Sequence, residues 1–487
     1  MFERHPRVAF LVSGHHGCAM ARFEKGDQFV EYWIDQPEGP IDPATGQRRH
    51  VWPELFTRSG RIGANAEAMS LALPHAFSAY REYSRYTREQ LENGWRRVLD
   101  PAHDAALPEE PSDPSLDAQL RADPGDADVA LIYADWLQQH GHPRGKLIAV
   151  QAALRTRPDD AELRAAEKEL FETHDHELLG RLARLIAGDE GDDPMIELEW
   201  DLGWIRRAKI VGRSDEPADI AWEVLRHPSA KFLRSLIVGC VRSGDQDNST
   251  LAATIMRAEP KPPLRELEIA DFDQSEINTI DISRAPIGDL TGLGQAYPEL
   301  ETVILKGTGD VALWKLSLPR AKKFALRTST MTKRTLATIL AAAWPALEDL
   351  ELWFGDVERG YGAECTVGDI LPLFAKPLPL LRALRLMNSP FSDEVVPAIA
   401  SWVGAARLET LDFSLGTLSD AGANALAKVR AAFPKLKRLG VFECALTRDG
   451  FAALAAAGYP FDTAAISPAE NWREPQQKPA RYCSVSE

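Results

Sequence analysis

The stretch Leu408-Glu-Thr-Leu411-Asp-Phe413 carries a pattern that recurs along the second half of the chain. Apolar residues stand at its first, fourth and sixth positions, and polar residues fill the positions between them. The same pattern, in places degenerate, also begins at Leu233, Leu264, Leu300, Ala321, Leu347, Leu381 and Leu436. Successive copies start 31, 36, 21, 26, 34, 27 and 28 residues apart. An internal repeat therefore organises this part of the chain.

Each copy predicts one short β-strand. Side chains alternate along a strand, so the apolar positions point to one side and the residues between them to the other. Stacking the apolar positions of successive copies buries a continuous core that a single copy cannot form. Between copies, the Ala- and Leu-rich segments Thr332–Ala343 and Ser419–Ala432 open on good N-capping residues and predict helices. The predicted fold class is α/β.

The repeat resembles the leucine-rich repeats, whose period is about 20–29 residues with longer insertions tolerated. The segment from Leu347 to Gly422 is similar to a bacterial leucine-rich-repeat family of unassigned function. This resemblance implies a solenoid shaped like a horseshoe, with the strands on its concave side and the helices on its convex side. We expect the array to span residues 211–460.

Strand residues that point away from the core are candidates for binding a partner on the concave face. They are mixed in charge and include large apolar side chains, which are frequent anchors in protein interfaces. For Trp353 and Phe442, packing into loops or neighbouring repeats is the alternative. The candidate partner-binding residues are Asp349, Glu351, Trp353, Arg385, Met387, Thr410, Asp412, Arg438 and Phe442.

Residues 1–99 predict a small α+β domain. Its tripeptide Ser59-Gly60-Arg61 is followed by Ile62-Gly63 and, further on, by Gly94-Trp95. This layout resembles the WGR domain, a family with a small sheet and a central Trp-Gly-Arg. Ser59 stands where the family has tryptophan. In poly(ADP-ribose) polymerases such domains help to bind damaged DNA ends. The resemblance therefore implies an alternative function, in which this domain binds DNA ends or RNA and the repeats recruit a protein partner.

The candidate nucleic-acid-binding residues are cationic or belong to the tripeptide. Three of the arginines follow a helical spacing that places them on one face, and a solvated arginine face beside Glu82, Glu89 and Glu92 is the alternative interpretation of that stripe. The candidates are Arg58, Gly60, Arg61, Arg81, Arg85 and Arg88.

Two further segments precede the repeats. Residues 100–116 are Pro-rich and acidic, which predicts a linker. Residues 130–151 (ALIYADWLQQHGHPRGKLIAVQ), together with Gly203-Trp204-Ile205, resemble the bacterial repeat-companion domain, a module found directly before leucine-rich repeats. We therefore expect a helical cap over residues 117–210, with Asp135 and Arg144 as a possible ion pair. Residues 461–487 predict a terminal cap and a loose tail.

Composition limits the remaining possibilities. Lys plus Arg number 56 and Asp plus Glu 72, a net charge of −16, which disfavours nonspecific nucleic-acid binding by the whole surface. The five cysteines show no paired spacing, and no apolar run reaches membrane length, so we expect a cytoplasmic protein without membrane contact. No catalytic residue, metal site or cofactor is predicted. The expected function is a non-enzymatic scaffold or adaptor that binds an unidentified protein partner.

Overall fold

The structure is a computed structural model. It describes residues 20–35, 54–64, 66, 68–71, 86, 89–90, 93, 95–98, 110–180, 182–187, 195–211, 217–239, 248–271, 282–358, 362–461, 483 and 485. Contacts divide the chain into two compact units: residues 1–105 with 183–195, and residues 106–182 with 196–487.

The first unit contains a five-stranded antiparallel sheet with the order β4-β3-β2-β1-β5. Phe23, Val30, Tyr32 and Leu55 lie on one face of this sheet and are buried. Gly60 stands opposite Phe29 in the ladder, where an added Cβ would lie 3.5 Å from the phenyl ring. The strands are β1 Met20–Lys25, β2 Gln28–Asp35, β3 Glu54–Arg61, β4 Ala68–Leu71 and β5 Arg96–Val98.

The second unit opens with helices. Asp113, Asp126 and Asp160 each accept backbone N–H bonds at a helix start, which satisfies donors that the helix itself leaves unpaired. A sixth helix, α6 Leu182–Ala187, lies almost wholly in the segment grouped with the first unit. The first five helices are α1 Pro114–Ala122, α2 Ala127–Gln139, α3 Arg144–Thr156, α4 Ala161–Thr173 and α5 Asp175–Leu178.

A ten-stranded sheet follows, and every strand lies beside the next one in sequence. The first two strands form an antiparallel hairpin, and all later neighbours are parallel. The strands are β6 Ile196–Asp201, β7 Trp204–Ile210, β8 Ser235–Gly239, β9 Glu266–Asp271, β10 Thr302–Lys306, β11 Lys323–Arg327, β12 Asp349–Trp353, β13 Ala383–Met387, β14 Thr410–Asp412 and β15 Arg438–Gly440.

Helices occupy the segments between these strands. They include α7 Pro217–Arg226, α8 Ser249–Arg257, α9 Leu293–Ala296, α10 Lys333–Ala341, α11 Val367–Ile370, α12 Ser392–Ser401, α13 Asp420–Lys428 and α14 Arg448–Ala456. Short 3₁₀ helices cover residues 228–230, 282–284, 371–375, 405–407 and 430–432. The two helices predicted between strands correspond to α10 and to α13 with the 3₁₀ turn after it. The α/β fold class is confirmed.

The copies of the repeat form strands with buried apolar positions, as predicted. Each of the eight copies contains one strand, and the apolar positions such as Leu350, Leu352, Leu384 and Leu386 are at most 1% exposed. In a parallel sheet covered on that side, such stacked leucines form the core. The alternate positions face the opposite side of the sheet.

Aspartates on α12 and α13 each bind the residue that precedes the following helix. Asp393 of α12 accepts hydrogen bonds from the backbone N–H and the hydroxyl of Ser419, at 2.8 and 2.6 Å. Asp420 of α13 does the same for Thr447, at 2.9 and 2.6 Å. Gly422 lies so close to Asp393 that an added Cβ would come within 2.2 Å of its oxygen. The spacing of the repeats does not by itself predict this link.

The segments before the repeats differ in detail from expectation. Helix α1 begins at Pro114, inside the stretch predicted as linker, and Glu110 is already engaged with Arg144. The stretch 117–210, predicted as a helical cap, ends in the β6–β7 hairpin, whose second strand pairs with β8. No helix among the described residues combines the length and the apolar character needed to cross a membrane.

Candidate partner-binding face

The side of the ten-stranded sheet opposite the stacked leucines is here called the polar face. Its central row runs across neighbouring strands in register and contains Lys209, Ile237, Glu268, Ile304, Ala325, Glu351, Arg385 and Asp412. Adjacent strands lie about 4.8 Å apart, so neighbouring side chains in such a row are within reach of each other. Side chains from eight separate segments thus form one continuous row, in which Lys209, Glu268 and Arg385 are partly exposed.

Glu351 is the hydrogen-bonding centre of the middle strands. It accepts two bonds from the Arg327 guanidinium, at 2.6 and 3.1 Å, and one from the Trp353 indole N–H at 2.9 Å. Burial favours its neutral form, but the Arg327 bonds together with the positive charges of Arg327 and Arg385 hold the pKa of Glu351 below its ordinary value. The ionised carboxylate therefore fixes both neighbouring side chains.

A second group of charges lies on β7, β9 and β10. Lys306 Nζ is 3.6 Å from Glu268 Oε1 and 3.5 Å from Asp271 Oδ1. Asp271 also lies 3.3 Å from Lys209 Nζ. Burial, together with the nearby positive charge of Arg327, lowers the pKa of Lys306, while burial raises that of Glu268. These longer contacts hold their partners less firmly than the bonds around Glu351 do.

Towards the last strands, the face becomes more accessible. Arg385 donates to Asp349 on the adjacent strand, and both side chains are about one-fifth exposed. Thr410 is half-buried, whereas Asp412 is buried and accepts the backbone N–H of Ser414 at 2.9 Å. Arg438 and Phe442 are exposed.

The nine candidate residues therefore lie together but differ in exposure. The expectation of exposed apolar anchors fails for Trp353 and Met387, which are 5% and 8% exposed and stand opposite each other on adjacent strands. Glu351 and Asp412 are buried as well. Phe442, at 38% exposure, is the apolar candidate that solvent reaches.

Residues near the end of the chain reach this region. The Asn388 side chain, directly after β13, donates to the carbonyl of Val485 at 2.6 Å and accepts its N–H at 3.0 Å. The side chains of Cys483 and Val485 are both buried. This part of the predicted loose tail is thus docked on the unit that holds the repeats, 97 residues away from its contact.

In the first unit, Arg58 and Arg61 have different environments. Arg58 Nε donates to the buried Glu31 at 2.7 Å, and Arg22 donates to the other oxygen of the same carboxylate at 2.7 Å. Arg61 is 78% exposed, with Nε 3.6 Å from Asp27. Gly60 packs beside Phe29. Arg81, Arg85 and Arg88 lie outside the described residues.

A buried charge cluster joins the helical segment to the start of the sheet. The side chain of Arg144 is 0% exposed; it donates to Glu110 at 2.7 Å, to Ser229 Oγ at 2.9 Å and to the Gly203 carbonyl at 2.5 Å. Lys231 adds a 2.8 Å contact to Asp117. The suggested pair with Asp135 does not form, because Arg144 points into the interior while Asp135 is exposed.

Burial and neighbouring charges shift the pKa values of groups in this cluster. Burial favours the neutral form of Glu110, but the charges of Arg144 and Lys231 outweigh it and lower the pKa of that carboxyl. Burial, assisted by the positive charge of Arg144, lowers the pKa of His227 to about 4. His227 Nδ1 accepts the backbone N–H of Ser229 at 3.1 Å, which fixes the entry to the 3₁₀ turn at 228–230.

Within the described ranges, no group of three or more His, Cys, Asp or Glu side chains is arranged to hold a metal ion. Comparison of the chain with protein-family models and with curated proteins gives no match. Among solved structures, the crystal structure of a Bacteroides fragilis protein is similar, with 16% identity and a TM-score of 0.49 over 96% of this chain and 100% of that chain.

Proposed function

We propose that the protein is a cytoplasmic, non-enzymatic scaffold or adaptor of the leucine-rich-repeat type, which binds a protein partner on its polar face. In this proposal the α1–α5 segment and the β6–β7 hairpin act as a repeat-companion cap for the apolar end of the array. The first unit is proposed to be a WGR-like domain attached to it.

The observation that carries the proposal is the registered row of side chains across consecutive parallel strands. On the polar face, ion pairs and hydrogen bonds hold Arg327, Glu351 and Arg385 in place before any partner arrives. A preorganised surface loses less conformational entropy on association than a mobile one. Phe442 and Arg438 supply an accessible apolar side chain and a cation, both of which are typical of interface anchors.

Charge reversal on the accessible part of the face tests the proposal. The full-length protein with Arg438→Glu and Phe442→Ser is used as bait in a nuclease-treated lysate of the native host. We expect loss of at least one protein that the wild type retains, by about tenfold or more, since hot-spot residues often contribute 2 kcal/mol or more. Lys428→Glu, an exposed cation on α13, is the matched control and should retain that protein. Equal capture by all three baits contradicts the proposal.

The alternative function is nucleic-acid binding by the first unit, and the exposure of Arg61 favours it. Arg58 does not add to it, since its guanidinium is bound to Glu31. This alternative predicts binding to DNA ends or RNA that weakens steeply with salt and is lost in Arg61→Glu. Filter binding across a salt series distinguishes the two functions, because a protein-binding scaffold shows no such binding.

A further inference from the structure

The contact between Asn388 and Val485 has the geometry by which a protein holds a peptide main chain. One side-chain amide serves both backbone groups of a single residue: Nδ2 donates to the carbonyl, and Oδ1 accepts the N–H. These bonds read the backbone and not the side chain, so any non-proline residue at that position satisfies them.

The buried side chains around this anchor add selectivity. Val485 and Cys483 are 2% and 0% exposed and stand two positions apart. Alternate side chains of an extended segment point to the same side, so this spacing fits an extended peptide with small apolar residues at every second position.

Asn388 itself is fixed from both sides. Its backbone N–H donates to Ser414 at 3.0 Å, and its carbonyl accepts the N–H of Gly355 at 2.8 Å. Its φ of 46° is left-handed, a conformation that asparagine tolerates better than other residues with a side chain. The amide is therefore presented from a rigid position next to Met387, at the end of the polar face.

We propose that Asn388 is the anchor of a peptide-binding site that the chain's own Cys483 and Val485 occupy in cis. The ligand in trans is an extended segment of a partner protein with small apolar side chains at alternate positions. This inference rests on the proposed function, because it names the chemistry of the partner that the function requires.

Alkylation of Cys483 in the full-length protein reports whether the site is occupied. Iodoacetamide labelling is followed by mass spectrometry, with the buried Cys365 as an internal reference for global unfolding. Asn388→Gly removes the amide and tolerates the left-handed backbone. It should speed labelling of Cys483 about tenfold, as expected for two lost hydrogen bonds, and leave Cys365 unchanged. Asn424→Gly on α13 is the matched control and should label like the wild type.

Exchange is tested with a synthetic peptide of residues 478–487 that carries Ala in place of Cys483. Excess peptide should accelerate labelling of Cys483 in the wild-type chain to a plateau. The same peptide N-methylated at the Val485 nitrogen lacks the donor for Asn388 and should have no effect.

The inference is overturned if Cys483 in the wild type reacts as fast as in urea, or if the peptide leaves its labelling unchanged. No partner is present in this assay. If the labelling assay fails, the result of the lysate capture experiment still stands. If peptide exchange succeeds but the capture experiment fails, only the scaffold proposal is rejected.

Discussion

Two arginine–carboxylate pairs in the second unit have opposite environments. The Arg144–Glu110 pair is enclosed where the helices meet the first strands, whereas the Arg385–Asp349 pair lies on the polar face and is partly open to solvent. When a buried charge loses its partner, water cannot take the partner's place. A half-exposed charge, in contrast, becomes hydrated. The comparison teaches that the first pair stabilises the fold, whereas the second lies on a surface that is available for binding.

The largest expected effect concerns the enclosed pair. Arg144→Met leaves Glu110 in the interior with Lys231 as its remaining cation, 3.5 Å away, and should lower the free energy of unfolding by about 3–5 kcal/mol. Urea denaturation measures the loss. Arg155→Met, in the same helix α3 but paired with Asp201 near the surface, should cost less than about 1 kcal/mol. Similar losses for both variants would remove the distinction between the two environments.

A smaller effect should appear as a pH dependence. Folding lowers the pKa of His227 to about 4, so below its ordinary value of about 6.5 the unfolded chain binds a proton that the folded chain rejects. Stability is therefore complete above that value and declines by about 3 kcal/mol as the pH falls towards 4. His227→Asn keeps an acceptor for Ser229 and should flatten the decline between pH 7 and 5. His176→Asn, at an exposed histidine, should leave it unchanged.

The smallest effect on stability is expected on the polar face. Arg385→Gln removes the pair with Asp349, whose two side chains are 20% and 22% exposed, and should cost less than about 1 kcal/mol in urea denaturation. The same variant should lower partner capture severalfold, because the charge lies in the registered row. A stability loss as large as that of Arg144→Met would show that the face is part of the core.

The sequence predicted the strands well because the spacing of Leu408, Leu411 and Phe413 is local information. It could not predict how much of the polar face is exposed. That exposure depends on neighbours such as Trp353 and Met387, which come from different repeats and stand opposite each other only when their strands pair. The Asn388–Val485 and Arg144–Glu110 contacts join residues 97 and 34 positions apart, and no periodic pattern encodes either.

The three-dimensional contacts also decide which candidate binding residues a partner can reach. Arg58 was a candidate for nucleic-acid contact, yet a buried carboxylate on the neighbouring strand binds it, which the charge count alone does not reveal. Phe442 stays exposed because it follows the last strand of the sheet, β15, beyond which the described residues contain no further strand. The accessible end of the array is therefore the best place to detect a partner.

Site-specific photocrosslinking tests the central claim most directly. Benzoylphenylalanine is placed at Phe442 on the polar face or at Val403, an apolar residue that is 75% exposed, and the host cells are irradiated. The proposed function predicts a discrete protein adduct from position 442 and none of the same mass from position 403. Equal adducts from both positions, or no protein adduct at 442, would contradict binding on this face.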